Sequence, residues 1–414
     1  MAVPCSPAVA DTLRLAWRNV LRHRRRSVVA VASIAFGVTA LMLASGFIEF
    51  IFFGFREDII RSQFGHLQIV RPGYHEAGRA DPYAYLLPDT LPRFDLPPGS
   101  PRIKAVAPRL SFNGLASVGD TSVAFIADGV DPVPEAQFDL GLEIAAGRNL
   151  APDQPLGMIM GVGLARNLGA VVGTRVVLLA STARGGTNAV EATVLGLFTS
   201  AAKAYDDAAL RLPLVTARRL LRSKGAHAWV VLLDDTEQTD QALAALRTRL
   251  SGQRLEVVPW YAMADFYQRT VALFGRQIDV LNLIIAGIIV LSISNTMMMS
   301  VLERTGEIGT LLALGTPRRG VAQLFLAEGL LLGLLGGLGG LLAGLALAGV
   351  ISWIGIPMPP PPGKTQGFTA EIRVTLAIAS QALALALGTT LLASLYPAWA
   401  ASRQAIVDAL RHNR

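Results

Sequence analysis

The chain has 414 residues, 52% hydrophobic and only 16% charged, with a mean hydropathy of +0.46. Soluble domains carry about 25% charged residues, so this composition excludes an ordinary soluble globule and argues for membrane spans. The net charge of +7 does not mark a nucleic-acid binder, because the basic residues gather beside apolar runs instead of forming one basic face interleaved with aromatics.

Cys5 is the single cysteine. It excludes an intramolecular disulfide or a multi-cysteine metal site and reads as a free thiol. Residues 11 to 26 read as an amphipathic basic helix with Leu13, Ala16, Trp17, Val20 and Leu21 on its apolar face. Trp17 suits a headgroup-level anchor, and the run Arg24 to Arg26 marks a cytoplasmic flank. Ser27 to Phe53 is the first apolar span, longer than the apolar core of a signal peptide and read as a retained anchor.

Residues 56 to 270 have another character. Prolines, glycines and alternating β-branched runs replace the long apolar stretches, as in a folded domain of mixed strands and helices split into two lobes. Strands are expected at 66–70, 121–130, 175–181 and 191–198. Helices are expected at Met160–Leu168, Ala208–Arg222 and Gln238–Leu250. Asp265 to Gln277 reads as a helical stalk into a second span, Ile278 to Leu302, in which Asn295 is expected to bond to a neighbouring helix.

The stretch ERTGEIGTLLALGTPRRG, Glu303 to Gly320, is the polar interruption between the second and third spans. Glu303, Arg304 and Glu307 share roughly one side of a helix start, Ile308, Gly309 and the leucines through Leu314 follow, and Gly315 and Pro317 stop the helix. Such a helix lies on the membrane surface or docks into a partner. The third span, Val321 to Trp353, carries Gly329, Gly333, Gly336, Gly340 and Gly344, whose four-residue spacing lets another helix or a second copy approach closely. Glu328 lies about two turns inside it, where an isolated carboxylate is costly; it is either hydrated near the interface or paired in the bundle, with transport as its functional alternative.

The loop 354–372 holds Gly363, Lys364 and Thr365, but Met358 stands where a phosphate-binding loop needs glycine and the prolines lack the N–H groups such a loop uses. The fourth span, Arg373 to Tyr396, ends in YPAWAASRQAIVDALR, with Pro397 expected to break the helix. Segments 1–26, 303–320 and 397–414 together hold twelve Lys and Arg, and loop 354–372 holds one. That bias places both termini in the cytoplasm and residues 56–270 outside. His75-Glu76 lacks the second histidine of a zinc helix and no Gly-x-Ser-x-Gly elbow occurs, which weighs against an enzyme; no metal site is expected.

Several motifs carry a resemblance. The Glu-Arg-x-x-Glu-Ile-Gly run at 303–309, the Arg18-Asn19 opening and the Tyr396-Pro397-Ala398 tail resemble FtsX-like ABC-transporter permeases. The tail departs from the family pattern near Val407, where the family has proline. Gly147-Arg148, Met158–Met160, Gly161–Ala165 and Val172–Val176 resemble in order the MacB-like periplasmic core domain. The lipoprotein-releasing (LolC/LolE-type) branch is the most similar.

The resemblance implies an α-helical membrane protein of the bacterial inner membrane, with four transmembrane helices and a large α+β extracytoplasmic domain between helices 1 and 2. The implied segments are a cytoplasmic helix 1–26, spans 27–55, 271–302, 321–353 and 373–396, a periplasmic domain 56–270 with stalk ends, a coupling helix 303–320, an outer loop 354–372 and a tail 397–414. It implies a non-catalytic permease that binds no cofactor itself, ATP and Mg being held by two copies of a partner ATPase. Glu303, Arg304, Glu307, Ile308, Gly309, Leu314 and Gly315 would dock with that ATPase. A second permease chain, identical or homologous, a periplasmic carrier or adaptor and a lipid-anchored cargo complete the implied partners. Macrolide-type efflux and division-type control of cell-wall hydrolases are the alternatives.

Overall fold

The computed structural model describes residues 7–78, 81–88, 99–138, 142–200, 203–359 and 367–404. Cys5, the Gly363–Thr365 motif, Val407 and the tail beyond residue 404 lie outside the described residues. The chain divides into two units, one of residues 1–52, 271–357 and 369–414 and the other of residues 53–270 and 358–368.

In chain order, α1 (Pro7–Arg22) turns at His23 into α2 (Arg24–Ile59), which ends in a π-helical turn at Ile60–Phe64. Then come β1 (Leu67–Val70), α3 (Tyr74–Ala77), β2 (Ile103–Val118), β3 (Thr121–Val130), α4 (Pro132–Glu135), β4 (Glu143–Gly147), β5 (Gly157–Gly161) and α5 (Val162–Leu168). They are followed by β6 (Arg175–Ser181), β7 (Thr187–Thr199), α6 (Lys203–Asp206), β8 (Ala209–Pro213), α7 (Leu214–Leu221), β9 (Ala228–Leu233), α8 (Thr239–Arg249), β10 (Glu256–Pro259) and α9 (Trp260–Met263). The chain closes with α10 (Asp265–Glu303), α11 (Thr305–Ala313), α12 (Arg318–Ile354), the short strands β11 (Ile356–Met358) and β12 (Phe368–Ala370), and α13 (Leu376–Ser402).

Among the described residues, four helices are long and apolar enough to cross a membrane: residues 24–64, α10, α12 and α13. In their unit, α12 is the central element, and its glycines explain why. A Cβ on Gly329 would sit 1.8 Å from Ser394 Oγ, and one on Gly333 2.2 Å from Thr390 Oγ1, so these two press α12 against α13. Gly336, Gly340 and Gly344 meet Ile34, Ala35 and Met42 of α2. Thr39 Oγ1 donates to Gly340 O at 3.0 Å, seating α2 on this stripe. The close-approach face thus serves helices of the same chain, which removes the need for a second copy to cover it. Ala30, Ile34, Val38 and Met42 of α2 join Ile289, Ile293, Phe325 and Ala386 in one buried cluster. Asn295 lies on the exposed side of α10, opposite the face that the buried positions Ile289, Ile293 and Met297 define. Pro397 is a correction, since α13 continues through it to Ser402.

The second unit is built on a mixed sheet in the order β10-β1-β9-β2-β3-β8-β5-β7-β4, with β6 bridging β2 and β7. Strands β3 and β6 fall where the alternation places them. The expected helix Ala208–Arg222 is instead strand β8 followed by α7, and the expected helix Met160–Leu168 begins only at Val162, after β5. The reason is burial. ALRLP is buried at every residue and runs parallel to β3, and such double-faced strands lack alternation and mimic helix starts. The sheet is continuous between its edges among the described residues, so the two expected lobes share one framework.

His66, just past the π turn, is 3% exposed. Its Nδ1 accepts from Leu233 N at 3.1 Å, and its Nε2 pairs with Thr236 Oγ1 at 2.9 Å, which donates to Glu57 Oε1 at 2.6 Å. Burial lowers the ring's pKa from 6.5 to about 4; Glu57 opposes this and Arg61 and Arg56 reinforce it.

Two predictions follow from this packing. Gly340→Ala puts a methyl 2.6 Å from Ala35 O, whereas Gly339→Ala meets nothing within 4 Å. Overpacking typically costs about 1–3 kcal/mol, and replacing a half-buried helical glycine that has open space beside it gains up to about 1 kcal/mol. In detergent, the Gly340 variant should therefore melt below the parent chain and the Gly339 variant at or above it. For His66, the folded state binds fewer protons than the unfolded chain between pH 6.5 and about 4. The stability it contributes is complete above 6.5 and is lost as pH falls toward 4, by up to about 3 kcal/mol. His66→Gln, which can keep both hydrogen bonds without titrating, should flatten the dependence of the unfolding midpoint on pH between 7.5 and 5.

Candidate functional site

The polar stretch after α10 forms a tight elbow. α11 closes with Gly315 at φ +93°, where Gly315 N donates to Leu312 O at 3.1 Å and Thr316 N to Leu311 O at 3.1 Å. This paired closure satisfies the last helical carbonyls and needs glycine at that residue. Pro317 then precedes α12 without breaking any helix bond.

The elbow is fixed from below by a buried carboxylate. Glu328, on α12, is 4% exposed and Arg304 6%. Arg304 Nη1 donates to Glu328 Oε1 at 2.8 Å, and Asn19 Nδ2 of α1 donates to the same oxygen at 2.6 Å. Arg304 Nε reaches Glu307 Oε2 at 3.2 Å, and its guanidinium lies 5.5 Å from the Phe325 ring centre. Burial alone would lower the Arg304 pKa, but Glu328 and then Glu307 more than offset it, so the value is raised and the guanidinium stays charged. On the exposed rim, Arg22 pairs with Glu307 at 3.1 Å and Arg26 with Glu303. Exposed pairs of this kind are worth at most about 1 kcal/mol, so the inner Arg304–Glu328–Asn19 set holds the geometry and the rim pairs adjust it.

This arrangement divides the expected docking residues. Arg304, Ile308 and Gly309 are buried in their own unit and are therefore absent from any surface that a partner could touch in this conformation. Glu303, Glu307, Gly315 and Leu314 remain outside, Leu314 at 80% exposure. Glu328 is paired within the bundle, one of the two readings open to it. Sequence reasoning missed Asn19, Arg22 and Arg26 as site residues because they stand about 280 to 310 positions from their partners; the one available signal was Asn19, a polar residue on the turn next to Val20 in an otherwise basic-apolar helix. No cluster of three or more metal-ligating side chains occurs among the described residues.

Four long apolar helices among the described residues, a polar elbow between two of them and a large mixed-sheet unit mark a membrane protein that also carries a large folded domain. Family models match the chain twice: a MacB-like periplasmic core domain over residues 27–249 and an FtsX-like permease C-terminal region over 280–406. The chain belongs to this family of ABC transporter permeases, FtsX-like in its C-terminal half and MacB-like in its core domain. The lipoprotein-releasing system transmembrane protein LolC of Neisseria meningitidis is 25% identical over 96% of this chain and 99% of its own length. An uncharacterized ABC transporter permease of Methanocaldococcus jannaschii is 23% identical over 84% and 86%. The macrolide export ATP-binding/permease protein MacB of Hyphomonas neptunium is 29% identical over 50% of this chain and 30% of its own. The solved extracellular domain of the transporter YknZ matches at 14% identity and a TM-score of 0.29, covering 39% of this chain and 83% of that one. Family members work as permeases with an ATPase, which MacB carries in its own chain.

Removing one partner of the inner pair should leave a buried charge. Arg304→Met is expected to destabilise the chain by about 3–5 kcal/mol, and Arg304→Met with Glu328→Leu to recover most of that loss. A double-mutant cycle on thermal unfolding in detergent measures this; additive losses would show that the two charges do not depend on one another.

Proposed function

We propose that this chain is the permease subunit of an inner-membrane ABC transporter that extracts or releases lipid-anchored cargo, lipoproteins or lipids, toward a periplasmic carrier. The observation that carries the proposal is the elbow. An exposed apolar residue, Leu314, stands beside exposed Glu303 and Glu307 on a short helix whose base is locked by a buried ion pair. A rigid, protruding helix with an apolar tip and acidic flank suits a groove on a soluble ATPase. Movement of that helix would be passed to α10 and α12, whose ends it joins. Charge bias supports an elbow and both termini in the cytoplasm, with the mixed-sheet unit in the periplasm.

In this reading two ATPase copies supply the energy and hold ATP and Mg, and a second permease chain completes the membrane part. α1 supports the same placement: Ala16 and Val20 face the protein, while Leu13, Trp17 and Leu21 are exposed as an apolar strip suited to the membrane surface. The match to LolC at nearly full length on both sides favours lipoprotein cargo. Similarity to MacB relatives favours a second reading, efflux of a small amphipathic molecule through a periplasmic adaptor.

Glu307→Lys tests the coupling. It reverses the charge at the exposed rim and opposes Arg22, but leaves Arg304–Glu328 in place. With the ATPase reconstituted in liposomes, the variant is expected to lower ATP-dependent cargo release by about tenfold, the equivalent of 1.4 kcal/mol of coupling, while its melting temperature changes little. Unchanged release would remove α11 from the path. Recovery of lipoproteins with the purified complex supports extraction, and recovery of an adaptor with a small molecule supports efflux.

A further inference from the structure

The first apolar helix does not end in solvent. After Ile59 it passes into the π turn Ile60–Phe64, where Gly65 N donates to Ile60 O at 2.7 Å. Gly65 has φ +66°, and a Cβ there would lie 2.3 Å from Val230 Cγ1, so the chain must leave at this point and in this direction. His66 N then bonds to Val231 O at 2.9 Å, and β1 begins one residue later.

The last carbonyls of a helix have no partner within it. Here two are taken by arginines from the sheet. Arg211 Nη2, on β8, donates to Ser62 O at 2.5 Å, and Arg109 Nη1, on β2, donates to Gln63 O. The other arms of both guanidiniums converge on Glu135 of α4. Arg109 Nη2 reaches Glu135 Oε1 at 2.6 Å, Arg109 Nε reaches Oε2 at 3.3 Å, and Arg211 Nη1 reaches Oε1 at 3.0 Å. The three side chains are 1–5% exposed.

Stability alone does not call for this cluster, because apolar residues of similar volume serve a core as well as buried ions do. What arginine adds is a rigid fork that can hold a carboxylate with one edge and a backbone carbonyl with another. Two positive groups also suit the negative end of a long helix. β2 and β8 flank β3 at the centre of the sheet, so the helix end is fastened to the middle of the unit and not to an edge.

We propose that Arg109, Glu135 and Arg211 are positioning residues that fasten the end of α2 to the sheet, so that a displacement arriving at Ser62 and Gln63 is delivered to β2 and β8. This rests on the transporter reading above, because it assigns the route by which energy from the ATPase reaches the periplasmic unit. Glu135 sets the two forks and the π turn supplies the carbonyls. Without the forks, the turn would yield before the strands moved.

The test uses the full chain with its ATPase in lipid nanodiscs. Arg109→Lys with Arg211→Lys keeps both charges beside Glu135, but a compact ammonium cannot hold carboxylate and carbonyl together. Hydrogen exchange is followed with and without ATP. In the parent complex, ATP is expected to alter exchange in 60–66 and in β2 and β8. In the double variant, exchange at 60–66 should rise about tenfold without ATP, β6 and β7 should stay as protected as in the parent, and the ATP response should stop at α2. If the double variant loses protection in β6 and β7, Arg211→Lys alone, which keeps the Arg109–Glu135 pair, is read instead. An ATP response in β2 and β8 equal to the parent's, or no response there in the parent, overturns the proposal. Cargo release measured on the same samples separates the two readings: absent release with a response that the variant blocks would overturn the cargo reading and leave the joint standing.

Discussion

The membrane unit depends on one buried carboxylate. Glu328 sits on the most glycine-rich helix of the chain, and leaving it charged without a partner would cost several kcal/mol. Its oxygen is shared by Arg304, from the elbow, and Asn19, from α1. Those two donors therefore cannot move independently of α12 without leaving a buried charge uncompensated. The position of α11, and so the direction in which Leu314 points outward, follows from that requirement. The exposed pairs around it, Arg22–Glu307 and Arg26–Glu303, are too weak to impose geometry but well placed to respond when a partner binds.

The ion pair needs close helices, and the glycines provide them. With side chains at 329, 333, 336, 340 and 344, α12 could not lie against both α13 and α2. The two glycine rows diverge along the helix, the first toward α13 and the second toward α2, so α12 is gripped on two sides at different heights. Packing without large side chains on one partner leaves little room for sliding. Tilting or translating α12 would carry both neighbours along, which is the behaviour required of an element that starts at the elbow. α10 is different: its apolar segment is the least enclosed of the four, and its outward face carries Asn295.

Much of this was legible in the sequence, for physical reasons that also mark the limits. Long apolar runs, the Gly315–Pro317 stop and strands such as Thr121–Val130 are written in local periodicity and in residues with restricted backbones. Glycines at four-residue spacing announced a close approach, although not that the partners were α2 and α13. Residues 208–222 mislead a periodicity argument because a strand buried on both faces and followed by a helix has no period of its own to separate the two. A lone polar residue such as Asn295 has no phase in an apolar helix that says which way it faces, and it lies on the exposed side of α10. Among the docking residues, spacing grouped Glu303, Arg304 and Glu307 on one side but could not show that Arg304 turns inward, since the reason is Glu328, 24 residues on. Asn19 and Arg211 are beyond reach of any local rule, because their partners are hundreds of residues or more than a hundred residues away.

Arginine forks thus appear at both termini of α2's path, and they are built differently. Near the start of α2, Arg304 links a buried carboxylate to an exposed one, so one of its arms can be released by a partner while the other stays fixed. Beyond its end, Arg109 and Arg211 spend their arms on a buried carboxylate and on backbone carbonyls, with nothing left at the surface. An adjustable contact suits an input, where affinity for a partner must change during a cycle. A closed contact suits a transmission point, where any compliance would be lost motion. Each fork is matched to its own surroundings: where one carboxylate reaches the surface, an arm stays exchangeable, and where burial is complete, every bond made stays inside the protein.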